Sequence, residues 1–244
     1  METRLKRSAR IVWITGASSG IGWALVERFV RSGDTVIASA RSKNKLRELQ
    51  ETVRASRGQC KVYACDIRKQ VQVRKIAEQI VAEYGKIDIL INGAGVTYFK
   101  DFLGTTAREF NEVVDTNLNG VFYATQAVLA NMIERQSGII LNVVSYAAKA
   151  TYTLSAAYSA SKAGVGALMD VLRAEVRDKG IKVINVFPGA VLTPIWHPKH
   201  REKYAHRMMR PEELAQLLYE VTRQPKSMMI EDMVVRPQAG DLKV

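Results

Sequence analysis

The chain has 244 residues, of which 47% are hydrophobic and 25% are charged, a balance that excludes a large disordered region and favours a soluble globular protein. One α/β domain can reach this length, so we expect residues 1–244 to form a single domain. The net charge of +12 admits an acidic or nucleic-acid partner, but the basic residues cluster at 4–10, 41–57 and 199–210 without interleaved aromatic residues, which favours a solvated surface over nucleic-acid binding.

Short apolar runs rich in β-branched residues alternate with longer amphipathic stretches from the N-terminus onward. The predicted strands lie near 10–15, 35–40, 61–65, 87–91, 138–144, 182–187 and 231–235. The predicted helices cover about 20–32, 43–57, 69–84, 106–135, 154–179 and 211–223. Strict alternation of strand and helix predicts an α/β fold of the Rossmann type, a doubly wound parallel sheet of about seven strands with helices on both faces.

The N-terminus, the length of the apolar runs and the cysteines indicate the cellular compartment of the protein. The N-terminus runs directly into a glycine motif, so we expect no removable signal peptide. No apolar run approaches the ~18 residues of a membrane span, so we expect no membrane association. Cys60 and Cys65 lie in one apolar stretch at an odd offset, which places them on opposite faces of a strand. We therefore expect free thiols in a cytoplasmic protein.

A glycine motif follows the first predicted strand, where the chain passes into a helix. Gly16, Gly20 and Gly22 allow a sharp turn and let a pyrophosphate approach the helix N-terminus, whose free N–H groups favour anions. The spacing is G-x-x-x-G-x-G and differs from the commoner dinucleotide fingerprint. Its position between a strand and a helix favours a dinucleotide site over a simple tight turn.

The end of the second predicted strand indicates which dinucleotide is bound. NAD-binding folds place an acid there, whereas this chain has Arg41, and Asp34 lies at the opposite end of the strand. A guanidinium at this position selects the 2′-phosphate of NADP(H) through charge-assisted hydrogen bonds. Lys43 and Lys45 add positive charge nearby.

Three further residues form a set that suits proton transfer. Tyr158 and Lys162 stand four apart in a predicted helix and therefore share one face, and Ser145 ends a predicted strand at the edge where such sheets bind ligands. A free tyrosine has a pKa of about 10, and one ammonium group at ~4 Å can lower it by about 3 units. A Tyr-x-x-x-Lys pair alone, however, occurs by chance in many helices.

Taken together with motifs further along, this chain resembles the short-chain dehydrogenase/reductase family over nearly its whole length. The motifs in chain order are TGASSGIG at 15–22, Asp66, NGAG at 92–95, Asn117, Ser145, Tyr158, Lys162 and PGAVLT at 188–193. The C-terminal half is similar to sepiapterin-reductase-like members and to general carbonyl reductases. It lacks the Val-Asp-Gly-Gly ending common in 3-oxoacyl-carrier-protein reductases, and Gly93 replaces an asparagine common in the family.

The resemblance implies a role for each member of the catalytic set. Tyr158 is expected to be the general acid, Ser145 to hold the substrate carbonyl, Lys162 to bind the nicotinamide ribose and lower the tyrosine pKa, and Asn117 to position a water. The implied cofactor-binding residues are Gly16, Ser18, Ser19, Gly20, Ile21, Gly22, Arg41, Asp66, Ile67, Asn92, Gly93, Ala94, Gly95, Tyr158, Lys162, Pro188, Gly189, Val191 and Thr193. Ser145, Tyr146, Tyr152 and Trp196 are the expected substrate contacts.

The segment 189–210 interrupts the strand and helix alternation and is expected to cover the substrate. Its three histidines, His197, His200 and His206, have no carboxylate or thiolate partners at ligand spacing, so we expect no metal site. Nearby aromatic and methionine residues are candidates for an apolar pocket.

The function indicated is NADPH-dependent transfer of hydride to a ketone or aldehyde, reversible as alcohol oxidation. One alternative is a 3-oxoacyl-acyl-carrier-protein reductase, for which the basic surface would dock an acidic carrier. A second is a protein that senses NADP without catalysis, although the complete proton-transfer set argues against it. The resemblance also implies a homodimer or homotetramer.

Overall fold

The computed structural model describes residues 9–242, so the basic residues predicted to cluster at 4–7 lie outside the described part. Within residues 9–242, seven strands form one parallel sheet in the spatial order third, second, first, fourth, fifth, sixth, seventh. The strands are β1 (Ile11–Thr15), β2 (Thr35–Ala40), β3 (Gln59–Ala64), β4 (Ile89–Asn92), β5 (Gly138–Val143), β6 (Ile181–Pro188) and β7 (Asp232–Val235). The predicted fold class is confirmed.

Helices join consecutive strands and cover both faces of this sheet. They are α1 (Gly20–Arg31), α2 (Lys43–Thr52), α3 (Gln70–Tyr84), α4 (Ala107–Val114), α5 (Gly120–Glu134), α6 (Ala156–Val176), α7 (Pro198–Tyr204) and α8 (Pro211–Val221). Prolines begin both α7 and α8, where the absent N–H costs no hydrogen bond. None of the described helices is long and apolar enough to cross a membrane.

The sequence predicted one helix over 106–135, and the structure divides it. Helix α4 begins at a capping box in which Thr106 and Glu109 bond to each other's backbone. A π-helical turn, Asp115–Asn119, then separates α4 from α5. Such a turn inserts one residue and is common at functional sites, and apolar periodicity gave no sign of it. Helix α7, inside the predicted covering segment, was also not predicted.

The core lies in two layers, one on each face of the sheet, and alternate residues of each strand belong to different layers. In β1, Val12 and Ile14 pack with α1 and α8, whereas Trp13 packs on the opposite layer with α3, α5 and α6. Trp13 is fully buried, and its indole N–H donates to Ser39 Oγ at 3.0 Å. Both faces of β1 are therefore apolar, as expected for a sheet covered on both sides.

The strand order reverses next to β1, which pairs with β2 on one side and with β4 on the other. Chain connections leave β1 and β4 in opposite directions, so a crevice opens at their carboxyl ends. Thr15 and Asn92 are register partners at this edge. The glycine motif follows Thr15 directly and so lies at the crevice.

Candidate active site

A cavity of about 700 Å³ opens at the carboxyl edge of the sheet. The glycine motif and the end of β2 line one part of it, and segment 189–210 with the C-terminal residues lines the other. Most of the predicted site residues lie here: Gly16, Ser18, Ser19, Gly20, Ile21, Gly22, Arg41, Asp66, Ile67, Gly93, Ala94, Gly95, Ser145, Tyr146, Tyr152, Tyr158, Lys162, Pro188, Gly189, Val191, Thr193 and Trp196.

The glycine motif is shaped to receive an anion. Gly16 has a φ of +71°, and a Cβ there would lie 2.6 Å from Ala94, so only glycine fits this turn. Ser19 precedes α1 in an extended conformation without capping it through its side chain. The amides of the first turn of α1 are therefore left to meet another acceptor at the cavity wall.

Positive charge marks the end of the cavity next to β2. Arg41 lines the cavity and keeps 55% of its side chain exposed, so its guanidinium is accessible to a ligand. Lys45 also lines the cavity. Lys43, which we expected to contribute, is exposed and does not line it. Asp34 lies at the opposite end of β2 and pairs with Arg10 at 2.7 Å, as its place in the sequence predicted.

Ser145, Tyr158 and Lys162 meet where β5 ends against α6. The Ser145 hydroxyl hydrogen-bonds to the phenol of Tyr158 and also accepts from the amide of Ala147 at 3.1 Å. Lys162 is buried, with its Nζ 5.8 Å from the centre of the Tyr158 ring and 2.8 Å from the carbonyl oxygen of Val143. The sequence separation of four residues therefore places both side chains of α6 beside Ser145.

The pKa values of these groups differ from the expectation that Lys162 lowers that of Tyr158. Burial raises the pKa of Tyr158, and the hydrogen bond from Ser145 opposes this only in part. Burial also lowers the pKa of Lys162, from 10.5 to about 8. The Lys162 ammonium donates to a strand carbonyl, and because the pKa of Tyr158 is raised, its phenol stays protonated at neutral pH.

Asn117 lies in the π-helical turn, fully buried, and does not line the cavity. Its Oδ1 accepts from the amide of Val96 at 2.8 Å, and its Nδ2 donates to Val96 O and to Ser161 Oγ, each at 3.0 Å. The side chain thus braces the loop after β4 against α6. These contacts engage the side chain with protein groups only, and the expectation that Asn117 positions a water stays a prediction.

Asn92 is the other predicted residue outside the cavity. It ends β4 and is buried, and its amide donates to Asn142 Oδ1 at 2.9 Å and to Thr125 Oγ1 at 3.2 Å. Its role is therefore to tie β4 to β5. The neighbouring Gly93 does line the cavity, and a Cβ there would lie 2.8 Å from the Thr15 carbonyl oxygen, so the close approach of the two chain segments favours glycine.

The substrate side of the cavity is aromatic. Trp196 of the covering segment stacks on Phe99 with ring centres 5.4 Å apart, and both line the cavity with Tyr146 and Tyr152. His200 of α7 also lines it, while His197 and His206 are exposed and do not. In the described part of the chain, no three His, Cys, Asp or Glu side chains gather as metal ligands.

The C-terminal residues close the cavity, which sequence reasoning did not predict. Asp241 and Leu242 line it, and Leu242 is buried. Arg236 pairs with Asp241 at 2.7 Å, and Arg207 donates to the carbonyls of Ala239 and Asp241 at 3.2 and 3.1 Å. Burial and the hydrogen bond to Asp241 raise the pKa of Tyr152 to about 12. Two arginines thus hold this tail beside the covering segment.

Comparison with known proteins agrees with this geometry. Residues 10–204 match the family model described as short chain dehydrogenase. The chain belongs to this family. Sepiapterin reductase from Chlorobaculum tepidum is 33% identical over 240 residues, covering 96% of this chain and 98% of that protein. The 3-oxoacyl-acyl-carrier-protein reductase of Thermotoga maritima is 33% identical over 222 residues, covering 88% and 90%.

A solved structure shows the same likeness in three dimensions. A metagenomic short-chain oxidoreductase in complex with NADP superposes with a TM-score of 0.83 at 28% identity, covering 94% of this chain and 97% of that one. The chain is therefore an oxidoreductase of the short-chain dehydrogenase family with its complete fold.

Proposed function

We propose that this protein is an NADP(H)-dependent oxidoreductase that reduces a ketone or aldehyde and, in reverse, oxidises the alcohol. The observation that carries the proposal is the meeting of Ser145, Tyr158 and Lys162 at the wall of a cavity whose other end has an anion-binding turn. A proton donor and a dinucleotide cradle in one cavity suit hydride transfer coupled to proton transfer.

The residues present fit NADP(H) at two separate points. The uncapped amides at the start of α1 suit a pyrophosphate, and the glycine turn allows its close approach. Arg41, which directly follows β2, and Lys45 in the first turn of α2 suit a 2′-phosphate, which NAD(H) lacks. The NADP-bound oxidoreductase of similar fold supports this choice. When bound, NADPH would supply the hydride.

The chain's own residues would then transfer the proton to the substrate. Ser145 would turn its hydroxyl from Tyr158 to the substrate carbonyl oxygen, and Tyr158 would donate its proton to the same oxygen as charge develops there. The raised pKa of Tyr158 keeps the phenol protonated at neutral pH, which a general acid in reduction requires. The nearby ammonium of Lys162 would stabilise the phenolate that remains. A water relay through the π-helical turn remains a prediction.

A panel of carbonyl compounds followed by NADPH oxidation tests the proposal. It should contain simple ketones, diketones, aldehydes and sepiapterin, the last because a relative named for its reduction is 33% identical. Each compound is run in parallel with NADH. Turnover of at least one carbonyl with NADPH, and slower turnover with NADH, is expected. A clear preference for NADH would contradict the assignment of Arg41.

A 3-oxoacyl-acyl-carrier-protein reductase is the second candidate. The Thermotoga maritima relative and the basic character of the chain favour it, since a carrier protein is acidic. Rates with acetoacetyl thioesters, compared with those of simple ketones, separate the two candidates. Negligible thioester turnover would remove the second.

Oligomeric state and location are part of the same proposal. Phe122 on α5 and Val171 on α6 are 42% and 59% exposed, which suits burial between copies of this chain in a homodimer or homotetramer. Light scattering of the purified protein measures the state directly, and a monomer would contradict it. A cytoplasmic location agrees with two free cysteines.

A further inference from the structure

Glu112 of α4 is a carboxylate shared among three partners near the β2 end of the cavity. Its Oε1 lies 3.8 Å from Arg41 Nη1 and 3.6 Å from Arg68 Nη1. Its Oε2 accepts a hydrogen bond from the Tyr98 hydroxyl at 2.7 Å. The side chain is 24% exposed, so water only partly screens its charge.

The two arginines connect Glu112 to the residues that would meet the adenosine. Arg41 lines the cavity itself. Arg68 makes a two-pronged contact with Asp66, which lines the cavity, through Nε at 2.9 Å and Nη2 at 2.7 Å. Asp66 therefore already engages Arg68, and Arg41 is the guanidinium left to receive a phosphate.

The contact between Glu112 and Arg41 has the character of a loose counter-ion. At 3.8 Å it exceeds hydrogen-bond distance, and the Arg41 side chain is 55% exposed. The effect of Glu112 is electrostatic, because its carboxylate offsets the positive charge of Arg41 without fixing the orientation of the guanidinium. A dianionic phosphate that arrives at Arg41 would meet this carboxylate as a like charge.

We propose that Glu112 is a specificity-determining residue for the cofactor, an internal competitor of the 2′-phosphate for Arg41 that weakens NADP(H) binding relative to NAD(H) binding. This inference rests on the proposed use of NADP(H). Such competition lets the oxidised cofactor leave more readily after each turnover, at some loss of discrimination between the two dinucleotides.

Dissociation constants of NADPH and NADH for the parent protein and Glu112→Gln, measured by nucleotide fluorescence, test this proposal. Glutamine has the same shape and its carbonyl still accepts from Tyr98, so the variant removes charge with little change in packing. We expect the NADPH constant to fall about threefold, the scale of one partly exposed ion pair, with the NADH constant unchanged. The difference should disappear at ~0.5 M salt because exposed charges are then screened.

Glu78→Gln is the matched control, since it removes one negative charge from an exposed pair with Arg74 on α3. An unchanged or raised NADPH constant in Glu112→Gln overturns the proposal, as does an equal change for NADH or for the control variant. Failure of the proposed use of NADP(H) would give a different result, seen in the parent protein and not in the variant. In that case the parent protein itself would bind NADH as tightly as NADPH.

Discussion

The ammonium nitrogen of Lys162 lies 2.8 Å from the carbonyl oxygen of Val143, so a side chain of α6 bonds to the last residue of β5. Lys162 is only 5% exposed, and a Cβ on Gly95 would lie 3.7 Å from the same nitrogen. The charge is thus held among the ends of β4 and β5 and the start of α6. Burying it disfavours the protonated form, which is why its pKa falls to about 8.

Lys162→Met is expected to be more stable than the parent protein at pH 7. The native state releases the lysine proton near pH 8, whereas the unfolded chain keeps it to about 10.5, so parent stability rises with pH between these values. The variant should gain roughly 3 kcal/mol at about pH 7, because the pKa is about 8 in the native state against 10.5 unfolded, and each pKa unit corresponds to about 1.4 kcal/mol. That gain should shrink above about pH 8 and be absent above about pH 10.5.

Denaturant unfolding of the ligand-free proteins at several pH values measures this difference. A variant less stable than the parent at neutral pH would show that Lys162 contributes more through its hydrogen bond to Val143 than burial of its charge costs. A difference that does not vary with pH would show that Lys162 does not titrate in this range.

Arg41→Ala is expected to weaken NADPH binding by about 10-fold to 100-fold, the loss of one hydrogen-bonded charge pair. The NADH constant should change little, because NADH lacks the 2′-phosphate. Lys43→Ala is the control, since Lys43 is exposed and lies outside the cavity wall. Titration of each variant with both nucleotides gives the dissociation constants. Equal losses of affinity for NADPH and NADH would show that Arg41 does not recognise the 2′-phosphate.

Arg207→Ala is expected to loosen the C-terminal tail and raise KM for the carbonyl substrate by about tenfold, with the NADPH constant unchanged. The reason is that Arg207 holds the carbonyls of Ala239 and Asp241, and Asp241 lines the cavity beside Tyr152. Arg210→Ala in the same segment serves as the control, because Arg210 is exposed and pairs with Glu213 only at 4.0 Å. An unchanged KM in Arg207→Ala would show that the contacts of Arg207 with the C-terminal tail do not contribute to substrate binding.

Much of the fold and of the cofactor site followed from local sequence signals. Alternating apolar runs predicted all seven strands within about two residues, because burial on both faces demands continuous apolar strands. The sequence also predicted which residues line the cavity, because each of them follows a strand end or shares a helix face. They are the glycine motif, Arg41, Ser145, Tyr158 and Lys162. Those relationships depend on chain neighbours and on helical repeat alone.

The features that sequence reasoning missed depend on contacts between distant segments. Asp241 reaches the cavity through Arg207 and Arg236, and Glu112 reaches Arg41 across the cavity end. No periodicity encodes such pairs. The contacts of Asn117 are another example, because the π-helical turn directs its side chain to Val96 and Ser161, and only the backbone geometry reveals this.

The most direct test of the catalytic assignment is the turnover of Tyr158→Phe with the best substrate of the carbonyl panel, measured beside its NADPH dissociation constant. The substitution removes only the phenolic oxygen, which hydrogen-bonds to Ser145. NADPH binding should match that of the parent protein, while turnover should fall by at least about 100-fold, the usual contribution of a general acid. Turnover equal to that of the parent protein would contradict the assignment of Tyr158 as the proton donor.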